Sequence, residues 1–244
     1  MWKAFRNALK VKEVRKRILY TFLILIVVRI GALLPIPGVN TDYFAQWFAS
    51  QSGTAFNFFD AMTGGSFTSM SVFALSITPY ITSSIIIQLL TIAIPKLEEM
   101  QKEGEEGRKV IAKITRYVTV ALALIESTAM TIGFGRSSLL IDFTWYNAIV
   151  VIVTMTAGSA MLMWLGERIT EKGVGNGISI ILLVNILSGL PDDFATLYST
   201  FMSGKSVAMA ALAAVIIVVI ILAIVGFVVM LQGGERRIPV QYAK

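Results

Sequence analysis

The chain has 244 residues, of which 56% are apolar and 15% charged; its net charge is +6, and it contains neither His nor Cys. Soluble domains carry about 45–50% apolar and about 25% charged residues, so a soluble globular protein is excluded, and apolar runs long enough to cross about 30 Å of hydrocarbon indicate a polytopic membrane protein. Without Cys or His there is no disulfide, no thiolate nucleophile and no zinc–thiolate site, and we expect no metal and no cofactor.

Six apolar segments are predicted to cross the membrane, so the predicted fold class is an all-α bundle of transmembrane helices. These spans are residues 18–34, 70–94, 117–134, 145–165, 178–190 and 207–231. The segments expected on the cytoplasmic side are residues 1–17, about 95–116, about 166–177 and 232–244. No small-residue cleavage site follows the first apolar run, which is therefore expected to be retained as a span.

The basic residues lie almost entirely on one side of the six spans. Nearly all of the 21 Lys and Arg residues fall in the N-terminal segment, the two cytoplasmic loops and the tail. Residues 35–69, between the first two spans, contain no Lys or Arg. By the positive-inside rule, this asymmetry places the N-terminus and the tail in the cytoplasm. The net charge is therefore mostly a topology signal.

The second span is unusually polar for a helix that faces lipid. Its polar residues include Ser71, Ser76, Thr78, Thr82, Ser83, Ser84, Gln88 and Thr91, and Pro79 removes one backbone donor. Polar side chains at membrane depth normally face the bundle or a wet cavity. The pattern favours a helix that lines an aqueous path; the alternative is that these side chains hold helices together.

The stretch before the second span, residues 56–67, is too short to span and too aromatic for an ordinary solvated loop. Gly64 and Gly65 allow the chain to reverse. We expect a short half-helix that dips into the outer face of the membrane; the alternative is an amphipathic helix lying on the outer leaflet.

Features of the later spans point to packing and to a pathway. The run Ala157-Gly158-Ser159-Ala160 in the fourth span permits close approach of another helix. The fifth span is predicted to be the shortest, at about 20 Å, with Asn185 inside it and a glycine-rich entry at 173–177. Short or Gly-interrupted spans are typical of transport pathways. The sixth span is apolar all round, so we expect it to face lipid and assign it no site.

Two ionisable residues lie within the spans. Glu126 is in the middle of the third span, and Arg29 is near the outer end of the first. A buried acid needs a partner, a proton or water, so we expect Glu126 to make a polar contact, with a proton relay as the alternative. Arg29 is expected to snorkel or to cap a neighbouring helix.

Several stretches taken in chain order resemble the SecY family, the channel subunits of the bacterial protein-translocation machinery. They are Pro-Ile-Pro-Gly at 35–38, Ile-Thr-Pro-Tyr-Ile at 77–81 with Ile-Ile-Ile-Gln-Leu-Leu at 85–90, Lys-Glu-Gly-Glu-Glu-Gly-Arg at 102–108, Gly-Asn-Gly-Ile-Ser at 175–179 and Arg-Arg-Ile-Pro-Val-Gln-Tyr-Ala-Lys at 236–244. The resemblance implies ten spans in two inverted halves around an hourglass pore, with this chain supplying the first six spans plus a re-entrant half-helix, the plug, at about 57–70.

The resemblance also implies functional residues at matching positions. The pore ring would include Ile77, Ile81, Leu182 and Ile186, where Leu182 occupies a place often held by Ile. The plug segment, residues 57–67, would comprise Asn57, Phe58, Phe59, Asp60, Ala61, Met62, Thr63, Gly64, Gly65, Ser66 and Phe67. The lateral gate would include Thr82, Ser83, Ile86 and Glu126, and a ribosome or SecA would dock on Arg236, Arg237 and Lys244.

The function implied by the resemblance is a non-enzymatic, protein-conducting channel in the inner, plasma membrane. The implied partners are SecE, SecG, a ribosome or the SecA motor, signal sequences, nascent chains, membrane lipid and the C-terminal half of the same channel. The chain is expected to be an N-terminal portion that forms no closed channel alone. The alternatives are a secondary transporter for a small solute or ion, a membrane-embedded enzyme, for which paired acids or a base are missing, and a structural helix bundle.

Overall fold

The computed structural model describes residues 11–50, 55–135 and 140–234. Over these residues the chain forms nine α-helices and no strand beyond two isolated bridges. The helices are α1 Lys12–Leu33, α2 Thr41–Ser50, α3 Ala55–Thr63, α4 Thr78–Ala93, α5 Pro95–Lys102, α6 Glu105–Phe134, α7 Trp145–Lys172, α8 Gly177–Phe201 and α9 Val207–Gln232. The predicted all-α class is confirmed.

The lengths and apolar character of these helices identify a multi-pass membrane protein. Four helices, α6 to α9, are long and apolar enough to cross a membrane, and the bent pair of α4 and α5 makes a fifth crossing if it counts as one span. The helix α1 is long enough, at about 33 Å, but it carries Lys16, Arg17 and Arg29. The crossing by α1, and with it the count of six, stays a prediction.

The second predicted span begins later than expected. Residues 64–77 form consecutive turns, and the helix starts only at Thr78, with Pro79 in its first turn. Proline suits a helix start because its missing N–H has no partner there. Ile94, which precedes Pro95, is extended, and the chain bends by 102° between α4 and α5.

The fifth predicted span is longer than expected, so the prediction that it is the shortest is wrong. The helix α8 runs for 25 residues, from Gly177 to Phe201, and it continues through Pro191. Its length of about 37 Å is enough to cross a bilayer. The extension lies beyond Leu190, where the predicted apolar span ended.

The chain forms two compact units, Met1–Gly189 and Leu190–Lys244. The second unit contains the end of α8 and the helix α9, which has no buried residue. In the first unit α7 packs against α1, α4 and α6. One apolar cluster of this unit is built around Phe44, Phe67 and Met155, and another around Val28, Ile77 and Leu162.

The turn segment 64–77 crosses the interior of the first unit. Its backbone pairs with the loop after α1, since Ile36 N–H donates to Met70 O at 3.0 Å and Val72 N–H donates to Leu34 O at 2.9 Å. An ideal Cβ on Gly158 of α7 would lie 2.0 Å from Val72 O. The expected packing role of the small residues around Gly158 is thus confirmed.

Candidate functional site

The plug segment begins as a helix and then reverses direction. The helix α3 ends at Thr63, and the N–H groups of Gly64 and Gly65 donate back to Ala61 O and Asp60 O at 3.4 and 3.2 Å. This pattern is a Schellman motif, which requires a left-handed residue after the helix. Gly64 has φ +67°. A short helix closed by a glycine reversal matches the expected half-helix, except that turns replace the helix after Thr63.

Side chains at the end of α3 hydrogen-bond to the turns that follow it. One carboxylate oxygen of Asp60 accepts from the Thr68 N–H at 2.9 Å. The Thr63 hydroxyl donates to Asp60 O at 2.9 Å and accepts from the Phe67 N–H at 3.2 Å. The segment is therefore folded upon itself by its own polar groups.

Aromatic side chains pack the plug segment against α2, which in turn packs against α6. Phe67 is buried, and its ring lies edge-on to Phe59 and Phe44, with centroid distances of 4.9 and 5.3 Å. Phe44 also contacts Trp47 on its own helix and Phe134 on α6. The helix α2 was not predicted, although Phe44, Trp47 and Phe48 have the three- and four-residue spacing of one helical face.

Polar residues from α1 and α8 contact the plug segment and the turns that follow it. The Arg29 Nη1 donates to Gly64 O at 3.3 Å, so the expected capping role of Arg29 is confirmed. The side-chain amide of Asn185, which is 2% exposed, donates to the Ser76 hydroxyl at 3.2 Å. The Ser188 hydroxyl donates to Asn185 O at 2.6 Å. Ser76 has φ +52°, a strained backbone conformation for a non-glycine residue.

The four pore-ring residues lie in unequal environments. Ile77 is 1% exposed and belongs to the apolar cluster of Val28 and Leu162. Ile81 and Leu182 are half-buried, whereas Ile186 is 42% exposed. Ile77 and Ile81 are four residues apart at the start of α4, and Leu182 and Ile186 are four residues apart within α8, so each pair is about one helical turn apart. Their assignment to a pore ring stays a prediction.

The four lateral-gate residues also differ in exposure. Ser83 is fully buried, and its hydroxyl is 2.6 Å from that of Thr119, which joins α4 to α6. Thr82 is half-buried and Ile86 is 37% exposed, so both remain accessible on α4. Ser83 holds two helices of this chain together, and the gate role of all four residues stays a prediction.

Glu126 lines an apolar cavity of about 480 Å³ between the plug segment and α6. The other lining residues are Phe58, Phe59, Met62, Phe67, Leu75, Ala129, Met130 and Phe134. Within the described part of the chain Glu126 makes no hydrogen bond or ion pair. The polar contact expected for Glu126 is therefore not made within these residues.

An ion pair that the sequence did not predict joins α6 to α7. The Arg116 Nε donates to a carboxylate oxygen of Glu167 at 2.7 Å. The pair borders a cavity of about 450 Å³ whose other walls include Tyr80, Ile81 and Ile178. The two residues are 51 positions apart, so spacing along the chain carried no signal.

The docking residues expected in the tail, Arg236, Arg237 and Lys244, lie outside the described residues.

A family model described as SecY matches residues 71–244. Relatives that carry the name protein translocase subunit SecY include those of Pseudomonas aeruginosa, 43% identical over 95% of this chain and 52% of its own length, and of Escherichia coli K12, 41% identical over 95% and 53%. The relative from Thermotoga maritima is 39% identical over 100% of this chain and 57% of its own length. The chain thus spans a little over half the length of these relatives.

Two solved structures share the fold. Sec61 in a canine ribosome-channel complex from the endoplasmic reticulum has a TM-score of 0.52 at 19% identity, over 96% of this chain and 51% of its own. A SecY structure, described as one in which the plug domain stabilises the closed state of the translocation channel and maintains a membrane seal, has a TM-score of 0.50 at 20% identity. It covers 80% of this chain and 40% of its own.

Proposed function

This chain belongs to the SecY family, and we propose that it supplies the first half of a protein-conducting channel. The complete channel, meaning this chain together with a second half of the SecY fold, would secrete unfolded polypeptides and release helices sideways into lipid. The observation that carries this proposal is the plug segment, which begins as a short helix and contacts α1, α2 and α8. A solute carrier has no evident use for such an element.

The proposed barrier to ions is a ring of branched apolar side chains from Ile77, Ile81, Leu182 and Ile186. Ile81, Leu182 and Ile186 retain exposed surface, whereas Ile77 is buried in this chain. A narrow apolar constriction excludes ions by dewetting, yet its flexible side chains yield to an extended peptide. The closed channel would thus hold back ions without any binding chemistry, and no enzymatic step is part of the proposal.

The proposed second barrier is the plug segment. In the structural neighbour described above, the plug domain is said to stabilise the closed state and maintain a membrane seal. We infer the same role for residues 57–67, because their internal hydrogen bonds let them move as one body.

The proposed lateral gate uses α4 and α6 as one wall. The bond between Ser83 and Thr119 ties these helices together. Thr82 and Ile86 of α4 stay accessible to an arriving segment, and Glu126 of α6 borders the apolar cavity beside the plug segment. The facing wall would come from the second half.

The proposed setting is the inner membrane, with the N-terminus in the cytoplasm. The canine neighbour was found in a ribosome-channel complex, which supports a ribosome, or the SecA motor, as the cytoplasmic partner. Arg236, Arg237 and Lys244 are the proposed contacts, since Arg pairs bind phosphate and carboxylate groups well. SecE and SecG are the proposed membrane partners, and signal sequences and nascent chains are the proposed substrates.

A translocation assay tests this function. The complete channel in lipid vesicles, supplied with its motor, is expected to make a secretory precursor resistant to external protease, and empty vesicles are not. Uptake of small solutes by the same vesicles, with the precursor fully digested, would favour the secondary transporter instead.

A further inference from the structure

Arg29 is a charged residue within an otherwise apolar stretch of α1, and its partner is the backbone of the plug segment. The Nη1 atom donates to Gly64 O at 3.3 Å, immediately after the end of α3. The last carbonyls of a helix have no partner within the helix, and they carry the negative end of its dipole. A guanidinium group is therefore well matched to this end of α3, and at membrane depth that match is worth more than in water.

The same glycine lies tightly against α8. An ideal Cβ on Gly64 would be 2.9 Å from the Asn185 Cα, 2.8 Å from the Ser188 Oγ and 2.9 Å from the Arg29 Nη1. A Cβ on Gly65, whose φ is also positive at +80°, would meet nothing within 4 Å. The plug segment thus lies against α1 and α8 at Gly64, while a side chain at the next residue would enter open space.

The α8 side of this contact is held in place by its own hydrogen bonds. The Asn185 side chain donates to the hydroxyl of Ser76, which lies in the turns beyond the plug segment, and the Ser188 hydroxyl donates to Asn185 O. The Asn185 side chain is buried, and its Oδ1 has no partner within the described residues. The residues of α8 that contact Gly64 are therefore themselves hydrogen-bonded within the bundle.

We propose that Arg29 is a positioning residue that holds the plug segment in its closed position, by binding Gly64 O while Gly64 lies against Asn185 and Ser188. The proposal rests on the proposed function, because it assumes that residues 57–67 move when the channel opens. Opening then breaks the Arg29 bond, whereas the bonds among Asp60, Thr63, Phe67 and Thr68 stay intact.

The position of the plug segment can be measured directly, because the chain has no Cys. Spin labels on Ala61→Cys, in the plug segment, and Val153→Cys, exposed on α7, report one distance in the complete channel in nanodiscs. Arg29→Met keeps a flexible, unbranched side chain but removes the charge and the hydrogen-bond donors. Loss of a hydrogen bond to a charged group is expected to raise the displaced population about ten- to hundredfold. The resting ion conductance of the same variant should rise in parallel.

A matched pair of glycine variants separates positioning from general destabilisation. Gly64→Ala and Gly65→Ala both place a side chain at positive φ, but only the first also meets α8 and Arg29. Gly64→Ala is expected to shift the label distance more than Gly65→Ala does. Arg29→Lys keeps the charge. Its displaced population should therefore lie between that of the unsubstituted channel and that of Arg29→Met.

Unchanged distance and conductance in Arg29→Met would overturn the proposal, as would equal shifts in the two alanine variants. If Arg29→Met does not assemble, the alanine pair decides alone. Precursor translocation by the unsubstituted channel is measured in parallel. Its absence would refute the proposed function, whereas normal translocation with an unmoved plug segment in the variants would refute only the role of Arg29.

Discussion

Gly158 is a residue of the first unit at which another backbone passes too close for a side chain. A Cβ there would lie 2.0 Å from Val72 O, a backbone atom that cannot rotate away. Gly133 on α6 offers the opposite case, because a Cβ there would meet nothing within 4 Å. Both glycines are helical, but another backbone segment lies against Gly158 and none lies against Gly133.

Gly158→Ala is expected to destabilise the protein by about 1–3 kcal/mol, the usual cost of overpacking. Gly133→Ala should be neutral or stabilising by up to about 1 kcal/mol, since Ala favours a helix over Gly. Thermal unfolding in detergent measures both variants. Equal midpoints for the two would contradict the close approach of residues 64–77 to α7.

The apolar ring makes a second residue-scale prediction. Ile81→Gly and Ile186→Gly in the complete channel are expected to raise the resting ion conductance in planar bilayers, because each widens an apolar constriction. Ile92→Gly is the control, since Ile92 lies on the same helix as Ile81 and is 81% exposed. An equal rise in conductance in all three variants would indicate loosened helices. Unchanged conductance in Ile81→Gly and Ile186→Gly would contradict the pore-ring assignment.

Ile77 should behave differently from its neighbour Ile81. It is 1% exposed, so Ile77→Ala leaves a cavity and is expected to lower the free energy of unfolding by about 2–5 kcal/mol. Chemical denaturation of the purified protein checks this, and a cost below that of Ile92→Ala would contradict the burial.

At the scale of helices, the contact between α4 and α6 depends on hydroxyl groups. The Ser83 and Thr119 hydroxyls are both fully buried and 2.6 Å apart. Because each hydroxyl has one hydrogen, one donates across the pair while the other donates to a carbonyl of its own helix, Tyr80 O or Thr115 O. A double-mutant cycle with Ser83→Ala and Thr119→Val is expected to give a coupling of about 0.5–1.5 kcal/mol. Ser83→Ala with Thr128→Val, whose hydroxyl bonds only within α6, should give none. Equal coupling in both cycles would contradict a specific bond.

The sequence predicted the helical elements best where apolar runs were long and uninterrupted. The spans around Gly158 and along α9 were found because nothing in them competes with a helix. The end of α8 was misplaced because the apolar run ends at Leu190, whereas the helix continues through Pro191 to Phe201. The start of α4 was misplaced because residues 70–77 are apolar enough for a span but lie in turns buried by α7.

The candidate site was predictable only in part. The glycine reversal after α3 follows from Gly64 and Gly65, and a cap by Arg29 follows from the cost of a charge in a span. The partner of that cap is 35 positions away, and Asn185 lies 109 positions from Ser76. Such pairs are set by tertiary packing, which periodicity along one chain does not report. The family resemblance, not the spacing, supplied the pore-ring positions.

For the whole molecule, the distribution of charge predicts orientation. Single cysteines at Lys12 and Asp42, both exposed, would each be the one thiol of this chain and can be labelled in intact cells. We expect an impermeant maleimide to label Asp42→Cys from outside and Lys12→Cys only after the membrane is opened. The reverse pattern would invert the proposed topology.

The central claim is that a polypeptide passes along this chain, and photo-crosslinking tests it most directly. A photoreactive residue is placed at Ile81, at Ile186 or at Val219, the last being an exposed residue of α9, in complete channels that hold an arrested secretory precursor. We predict adducts with the precursor at Ile81 and Ile186 and little or none at Val219. No adduct at Ile81 and Ile186, or equal adducts at all three positions, would contradict a protein-conducting path lined by α4 and α8.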